Sequence, residues 1–140
     1  MDVLQLKLSF ELIPDRPIFA KTFYSILFST FPDARALFAN TDWDRQYSSL
    51  MATLAAVIAG VEAGDNLTPT LHKLGARHKR YGAAAEHYPV VGSCLIATFH
   101  QTLKDQFTPQ MQDSWASAFE LISNEMLDGA AKEKEAAEDR

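Results

Sequence analysis

The feature that most limits what this chain can fold into is the helical spacing of its apolar residues. Beyond the opening residues, apolar side chains recur three or four positions apart, and proline, threonine and glycine stand where such runs start and stop. This spacing gives each helix one apolar stripe, which has to be buried against other helices. The pattern therefore predicts an all-α domain.

The opening stretch fits two kinds of structure. Its apolar side chains alternate as they would along a strand, yet three of them also share one face of a helix (Leu4, Leu8 and Leu12). The sequence leaves strand and helix both open for this element. Pro14 and Pro17 are then predicted to break the chain.

Five further helices and one short turn-like segment are predicted. Their apolar faces lie within residues 19–31, 37–38, 43–61, 71–81, 91–103 and 111–126. Thr68 is predicted to cap the helix that carries 71–81, and Pro89 to start the next one. Gly129 is predicted to end the ordered core, so that 1–129 form one domain. Residues 130–140 then form a short polar, charged tail, either a frayed helical extension or a disordered end.

Charge, hydropathy and cysteine content exclude several classes of protein. A net charge of −5 with scattered lysine and arginine gives no basic surface for nucleic acid or an anionic membrane. No apolar run is long enough to span a bilayer, and the opening residues lack the pattern of a signal peptide. Cys94 is the single cysteine and has no internal disulfide partner, so we expect a core-filling role and a reduced, cytoplasmic setting.

His78 is the histidine whose position favours a ligand-binding role. It lies on the apolar face of its helix between Leu74 and Tyr81, where an imidazole needs a partner. Taken alone, it is better explained as a structural core histidine. The other histidines are predicted to lie at the surface or to cap helices (His72, His87 and His100). Without an HExxH motif or paired histidines, a metal site built from protein ligands alone is not expected, whereas a cofactor with its own metal ligands needs one histidine.

Four segments, in order, resemble one protein family. The segments ARHKRYG and HYPVVG resemble the proximal part of single-domain bacterial haemoglobins, which are similar to the globin domain of the flavohaemoglobin family. The likeness extends back through TFYSILFSTFPDARALF and on through RQYSSLMATL, and it reaches about Gly129. It implies a globin fold, a three-on-three helical sandwich, that binds haem b.

Besides an iron ligand, the resemblance implies three distal residues and one residue that packs on the haem face. Tyr24 corresponds to a tyrosine whose hydroxyl donates a hydrogen bond to bound dioxygen. Gln46 and Leu50 correspond to the distal glutamine and to the apolar residue above the iron, and Phe38 to the phenylalanine that packs on the haem face. Without the resemblance, these would be read as a core tyrosine, a boundary glutamine and core apolar residues.

On the proximal side, the resemblance makes His78 the iron ligand and Tyr88 the residue that orients its ring by hydrogen bonding. Arg77 is a candidate partner of a haem propionate, although a solvated charged face explains it as well. The family places a glutamate on the last helix where this chain has Ala130, so the proximal relay is expected to be incomplete. A shifted register of that helix could bring another carboxylate into this position (Glu125 or Glu133).

The resemblance implies reversible binding of dioxygen, nitric oxide or other diatomic ligands. Strong peroxidase-like activity is not expected, because a His78 that bonds only a neutral acceptor donates less electron density to iron. Two alternatives stay open. One is a nitric oxide dioxygenase that works with a separate reductase, and the other is a globin-like sensor or interaction module without haem catalysis.

Overall fold

Six α-helices and two short 3-10 segments build the structure, a computed structural model that describes the backbone of residues 2–138 and the side chains of residues 2–132. The α-helices are α1 (Val3–Glu11), α2 (Arg16–Thr30), α3 (Trp43–Ala63), α4 (Thr68–Arg80), α5 (His87–Leu103) and α6 (Pro109–Glu138). The 3-10 segments are Pro32–Phe38 and Lys104–Gln106. The described residues contain no strand, so the all-α prediction is confirmed. Within the same range, no helix is both long and apolar enough to cross a membrane.

Aspartate side chains fix the starts of the first three helices. Asp2, Asp15 and Asp42 each accept a hydrogen bond from a backbone N–H in the first turn that follows. The opening stretch is therefore helix rather than strand. The helical structure is interrupted between Glu11 and Arg16. Pro17 lies in the first turn of α2, where a backbone N–H would have no acceptor within the helix.

Two predicted helix starts are wrong by a few residues. Thr68 is the first residue of α4 rather than its cap, and the Asn66 side chain accepts the hydrogen bond from the Thr68 N–H at 3.1 Å. α5 begins at His87, two residues ahead of Pro89. Proline is accommodated there because the first N–H groups of a helix have no acceptor within it.

α4 and α6 approach each other so closely that each needs a glycine. A methyl group on Gly75 would lie 1.8 Å from the carbonyl oxygen of Met126, and one on Gly129 would lie 2.2 Å from that of His72. Gly129, which we predicted to end the ordered core, is thus a contact position inside α6. The helix continues to Glu138, and residues 139 and 140 of the predicted tail lie outside the described residues.

The apolar interior forms two clusters of unequal size. The main cluster joins α1, α2, α3, α5 and α6 around the buried side chains of Phe19, Phe99 and Trp115, and it includes Cys94, as predicted. Trp115 also donates its indole N–H to Ser9 Oγ at 2.7 Å, which ties the last helix to the first. The small cluster is centred on three buried residues, one each from α3, α4 and α6 (Val57, Leu71 and Met126). Every α4 side chain assigned to either cluster belongs to the small one.

Candidate functional site

The candidate site lies where α3 and α4 diverge. α3 packs mainly against α1 and α2, whereas α4 packs mainly against α6. The two helices meet near their connection, where the Leu67 side chain covers Gly60. The residues predicted for the distal side lie on α2 and α3, and those predicted for the proximal side lie on α4 and at the start of α5. Phe38, predicted to pack on the haem face, ends the first 3-10 segment. The fold thus places the two groups on different helical walls.

Aromatic rings surround Tyr24 on the distal wall. Its ring centroid lies 5.5 Å from that of Phe38, 5.1 Å from that of Trp43 and 6.0 Å from that of Tyr47. Phe28 lies 6.1 Å away, and Phe38 and Trp43 stack on each other. These five residues form what we call the aromatic cluster. Most of their contacts are tilted or edge-to-face, as aromatic pairs prefer.

Sequence reasoning singled out two members of the aromatic cluster, Tyr24 and Phe38, and missed the others as site residues. A signal was present, because Phe28 follows Tyr24 by one helical turn and Tyr47 follows Trp43 by one turn. The spacing could not show that the two pairs face each other across α2 and α3.

Tyr24 and Gln46 form the polar part of the distal wall. The Gln46 Nε2 amide donates to the Tyr24 hydroxyl oxygen at 2.7 Å. A phenol has one proton and two lone pairs, so the oxygen accepts from Gln46 while the proton is left to donate elsewhere. Burial raises the pKa of Tyr24, the Gln46 bond opposes this, and neighbouring Tyr47 adds to it. Tyr24 is therefore protonated, and able to donate, at neutral pH.

Leu50 lies one turn beyond Gln46 on α3. Its side chain is half-buried and packs against the main cluster. Tyr24 thus contacts both Gln46 and Phe38, and Leu50 lies on the same wall.

One ring nitrogen of His78 forms a hydrogen bond, and the other can bind a metal. Nδ1 bonds the carbonyl oxygen of Leu74, one turn earlier in α4, at 2.8 Å. Because a carbonyl only accepts, Nδ1 carries the proton and Nε2 keeps its lone pair. The side chain is solvent-accessible, yet enough protein atoms surround the ring that desolvation is the largest influence and lowers its pKa below 6.5. The Leu74 bond opposes that shift, and the charge of Arg77 adds to it. The ring is thus neutral at neutral pH, the form that binds metals.

Tyr88 lies near the proximal wall but does not orient the His78 ring through Nδ1, because that nitrogen bonds Leu74 instead. Tyr88 is half-buried against the small cluster, and burial raises its pKa. It also lines a cavity of about 380 Å³ between α5 and α6, to which no member of the aromatic cluster contributes. Arg77 is exposed and adjoins His78.

Among the described side chains, no carboxylate bonds the His78 ring, and the gap in the proximal relay stays a prediction. Ala130 faces the end of α4, where its carbonyl oxygen accepts a hydrogen bond from Lys79 Nζ at 3.4 Å. Glu125 does not fill the gap, because its carboxylate bonds His72 Nε2 at 2.9 Å. The side chain of Glu133 lies outside the described residues. A neutral backbone carbonyl is therefore the partner of the His78 ring.

The remaining histidines differ from one another. His72 is half-buried on α4 and pairs with Glu125 of α6, so the prediction that it is a surface or capping residue is wrong. His87 accepts a hydrogen bond from the Ala84 N–H and stabilises the turn before α5. His100 is exposed and bonds Gln112. Sequence could not reveal the His72 pair, since its partner lies 53 positions away.

Comparisons with known proteins bear on the family and the fold of this chain. A globin family model matches residues 21–126. The flavohemoprotein of Bacillus subtilis is 27% identical over 107 residues, which cover 75% of this chain and 27% of the relative. The chain thus spans about a quarter of that protein.

Two solved structures show the same fold. A globin of Campylobacter jejuni superposes with a TM-score of 0.81 at 20% identity, covering 95% of this chain and 96% of the other. An engineered carbene transferase, derived from a candidate nitric oxide dioxygenase of Rhodothermus marinus, gives 0.82 at 21% identity, with 96% and 94% covered. The fold predicted from the sequence is confirmed.

Proposed function

Because this chain belongs to the globin family, we propose that it binds haem b and, at the haem iron, reversibly binds dioxygen or a related diatomic ligand. The observation that carries the proposal is the state of His78, whose Nδ1–H is held by Leu74 while Nε2 remains free for a metal. The haem supplies an iron at which such ligands bind.

On the proximal wall, His78 would hold the iron through Nε2. The 2.8 Å bond to Leu74 fixes both the tautomer and the orientation of the ring. Arg77 would pair with a propionate, and Tyr88 would support the proximal side from the start of α5. From the aromatic cluster opposite, Phe38 would pack on the haem face. The donor set fits haem, which needs a single neutral imidazole and apolar walls.

On the distal wall, Tyr24 would donate its hydroxyl proton to the diatomic ligand. The Gln46 amide donates a hydrogen bond to the hydroxyl oxygen, so the hydroxyl proton of Tyr24 points away from that amide. Leu50 and the aromatic cluster exclude water, which strengthens a hydrogen bond to a ligand that carries partial negative charge.

A nitric oxide dioxygenase that works with a separate reductase is the second candidate. Its support comes from the flavohemoprotein relatives and the Rhodothermus marinus neighbour. Converting nitric oxide and dioxygen to nitrate would require one electron per turnover from that reductase. The neutral partner of His78 favours ligand binding over this activity, because it adds no negative charge to the imidazole. Nitrate formation with a surrogate reductase tests the candidate directly.

The proposal includes a cytoplasmic setting, which the single, buried and unpaired Cys94 favours. The third possibility, a sensor or interaction module without haem, keeps the same scaffold but leaves Nε2 of His78 unused.

The test is the absorption spectrum of the purified chain after reconstitution with haem. The wild-type protein should show a Soret band, and His78→Ala should lose most of it, with partial recovery on adding imidazole. His100→Ala is the matched control, because that histidine is exposed and contacts Gln112 and Phe107, away from the proposed haem site. A wild-type protein that takes up no haem would support the haem-free module instead.

A further inference from the structure

A second group of metal-binding side chains lies where α4 crosses α6. His72 comes from α4, and Glu125 and Asp128 come from one face of α6. One potential ligand atom from each lies within 4.8 Å of the other two. His72 and His78 are six residues apart, which is about 9 Å along a helix and roughly a third of a turn around it. The group is therefore separate from the proposed haem site.

The backbone holds these three side chains in place. Each sits at or beside one of the two positions where α4 and α6 touch, since Glu125 precedes Met126 and Asp128 precedes Gly129. A Cβ atom on Gly129 would collide with the carbonyl oxygen of His72 itself. These close backbone contacts set the distance between the two helices at the positions that carry the three side chains.

The distances suit a metal ion with short bonds. Two ligand atoms of a tetrahedral Zn²⁺ site, each about 2.0–2.1 Å from the ion, lie about 3.3 Å apart. His72 Nε2 and Glu125 Oε2 are 2.9 Å apart, so inserting the ion requires an opening of only a few tenths of an ångström. The Asp128 carboxylate lies within 4.8 Å of these two atoms, and rotation of this exposed side chain would bring it to the ion.

We propose that His72, Glu125 and Asp128 bind one divalent transition-metal ion, with Zn²⁺ the best match. One imidazole and two carboxylates form a charge-neutral set for Zn²⁺ and leave a fourth position for water. The ion would replace the His72–Glu125 contact with two metal bonds and so fasten the helix that carries His78 to α6. This inference does not depend on haem binding.

The experiment is a calorimetric titration of the full chain with Zn²⁺, run both without haem and after haem reconstitution. One ion should bind per chain, and the melting temperature should rise with added Zn²⁺. His72→Ala, Glu125→Gln and Asp128→Asn should each weaken binding at least tenfold. Glu125→Gln keeps a hydrogen-bond acceptor for His72, so it separates loss of a metal ligand from loss of folding.

Two controls separate this site from the histidines elsewhere. His100→Ala should bind Zn²⁺ as the wild-type protein does. His78→Ala, which removes the proposed haem ligand, should also keep its Zn²⁺ affinity, so failure of the haem proposal leaves this one testable. No detectable Zn²⁺ binding, or equal affinity in the wild-type protein and His72→Ala, would overturn the inference.

Discussion

At the scale of single residues, the Tyr24 hydroxyl uses its oxygen and its proton for different tasks. The oxygen accepts from Gln46, and in the proposed function the proton is donated to the bound ligand. We expect Tyr24→Phe to speed dioxygen dissociation roughly ten- to a hundredfold, because a hydrogen bond to a charged group contributes about 1.5–3 kcal/mol. Stopped-flow measurement on the reconstituted protein checks this.

Tyr47→Phe is the matched control for that substitution. Tyr47 belongs to the same aromatic cluster, but its contacts with Tyr24 and Trp43 are made by the ring. Its dissociation rate should stay within about twofold of the wild-type rate. An unchanged rate in Tyr24→Phe would show that Tyr24 is not the donor.

Burial of Tyr24 also predicts how stability changes at alkaline pH. Its pKa is about 10 in the unfolded chain and higher in the folded protein, mainly because burial disfavours the phenolate. The stability that comes from keeping Tyr24 protonated is therefore fully present below about pH 10. It is lost as the pH rises through the pKa of the folded protein. In urea unfolding at about pH 9 and pH 11, the wild-type protein should lose more stability than Tyr24→Phe. Equal losses would mean that Tyr24 ionises equally easily in both states.

Several of these residues could be predicted from the sequence, and others could not. Tyr24, Gln46 and His78 were found because their order and separation resemble a known family, and the first two do bond each other. A backbone carbonyl was expected as the acceptor for His78, and the structure gives the carbonyl of Leu74, one helical turn earlier. The His72–Glu125 pair was not, because it depends on how two distant helices cross.

At the scale of helices, the crossing of α4 and α6 depends on Gly75. We expect Gly75→Ala to lower the free energy of unfolding by about 1–3 kcal/mol or more. The new methyl group would clash with backbone atoms of Met126, which cannot move aside as the end of a side chain can. Thermal or urea unfolding of the haem-free protein measures the change without interference from cofactor loss.

Gly92→Ala is the control for this substitution. Gly92 also lies inside a helix, but a methyl group there would sit 3.7 Å from the Phe119 ring, an ordinary contact. Alanine favours helix over glycine by about 0.5–1 kcal/mol, so this variant should be as stable as the wild-type protein or more so. Similar stability of the two variants would show that α4 and α6 can separate at little cost.

The helices themselves were predicted well, and their ends less so. Apolar spacing located α2 to α6, because burial of one face dominates the stability of such elements, but it left α1 open between strand and helix. Gly129 shows why the ends are harder to predict. A glycine suits both the end of a helix and a close contact between two helices, and only the position of α4 distinguishes the two.

At the scale of the whole molecule, one hydrogen bond joins the two ends of the fold. Trp115 is almost completely buried, and its N–H has Ser9 Oγ as its partner, 106 positions away. Ser9→Ala should reduce the free energy of unfolding by about 1–3 kcal/mol, because it leaves a buried donor unsatisfied. Ser25→Ala, at an exposed position of α2, should change it by less than about 0.5 kcal/mol. Equal effects of the two would indicate that water replaces the lost acceptor.

The unequal clusters of the interior bear on the order in which this molecule assembles. The aromatic cluster belongs to the large core, whereas α4 is anchored through the small one. Local opening costs least where few apolar contacts are lost, so α4 can detach while the large core stays intact. A newly made chain would therefore offer a finished distal wall to an incoming haem, and the proximal helix would close over it last.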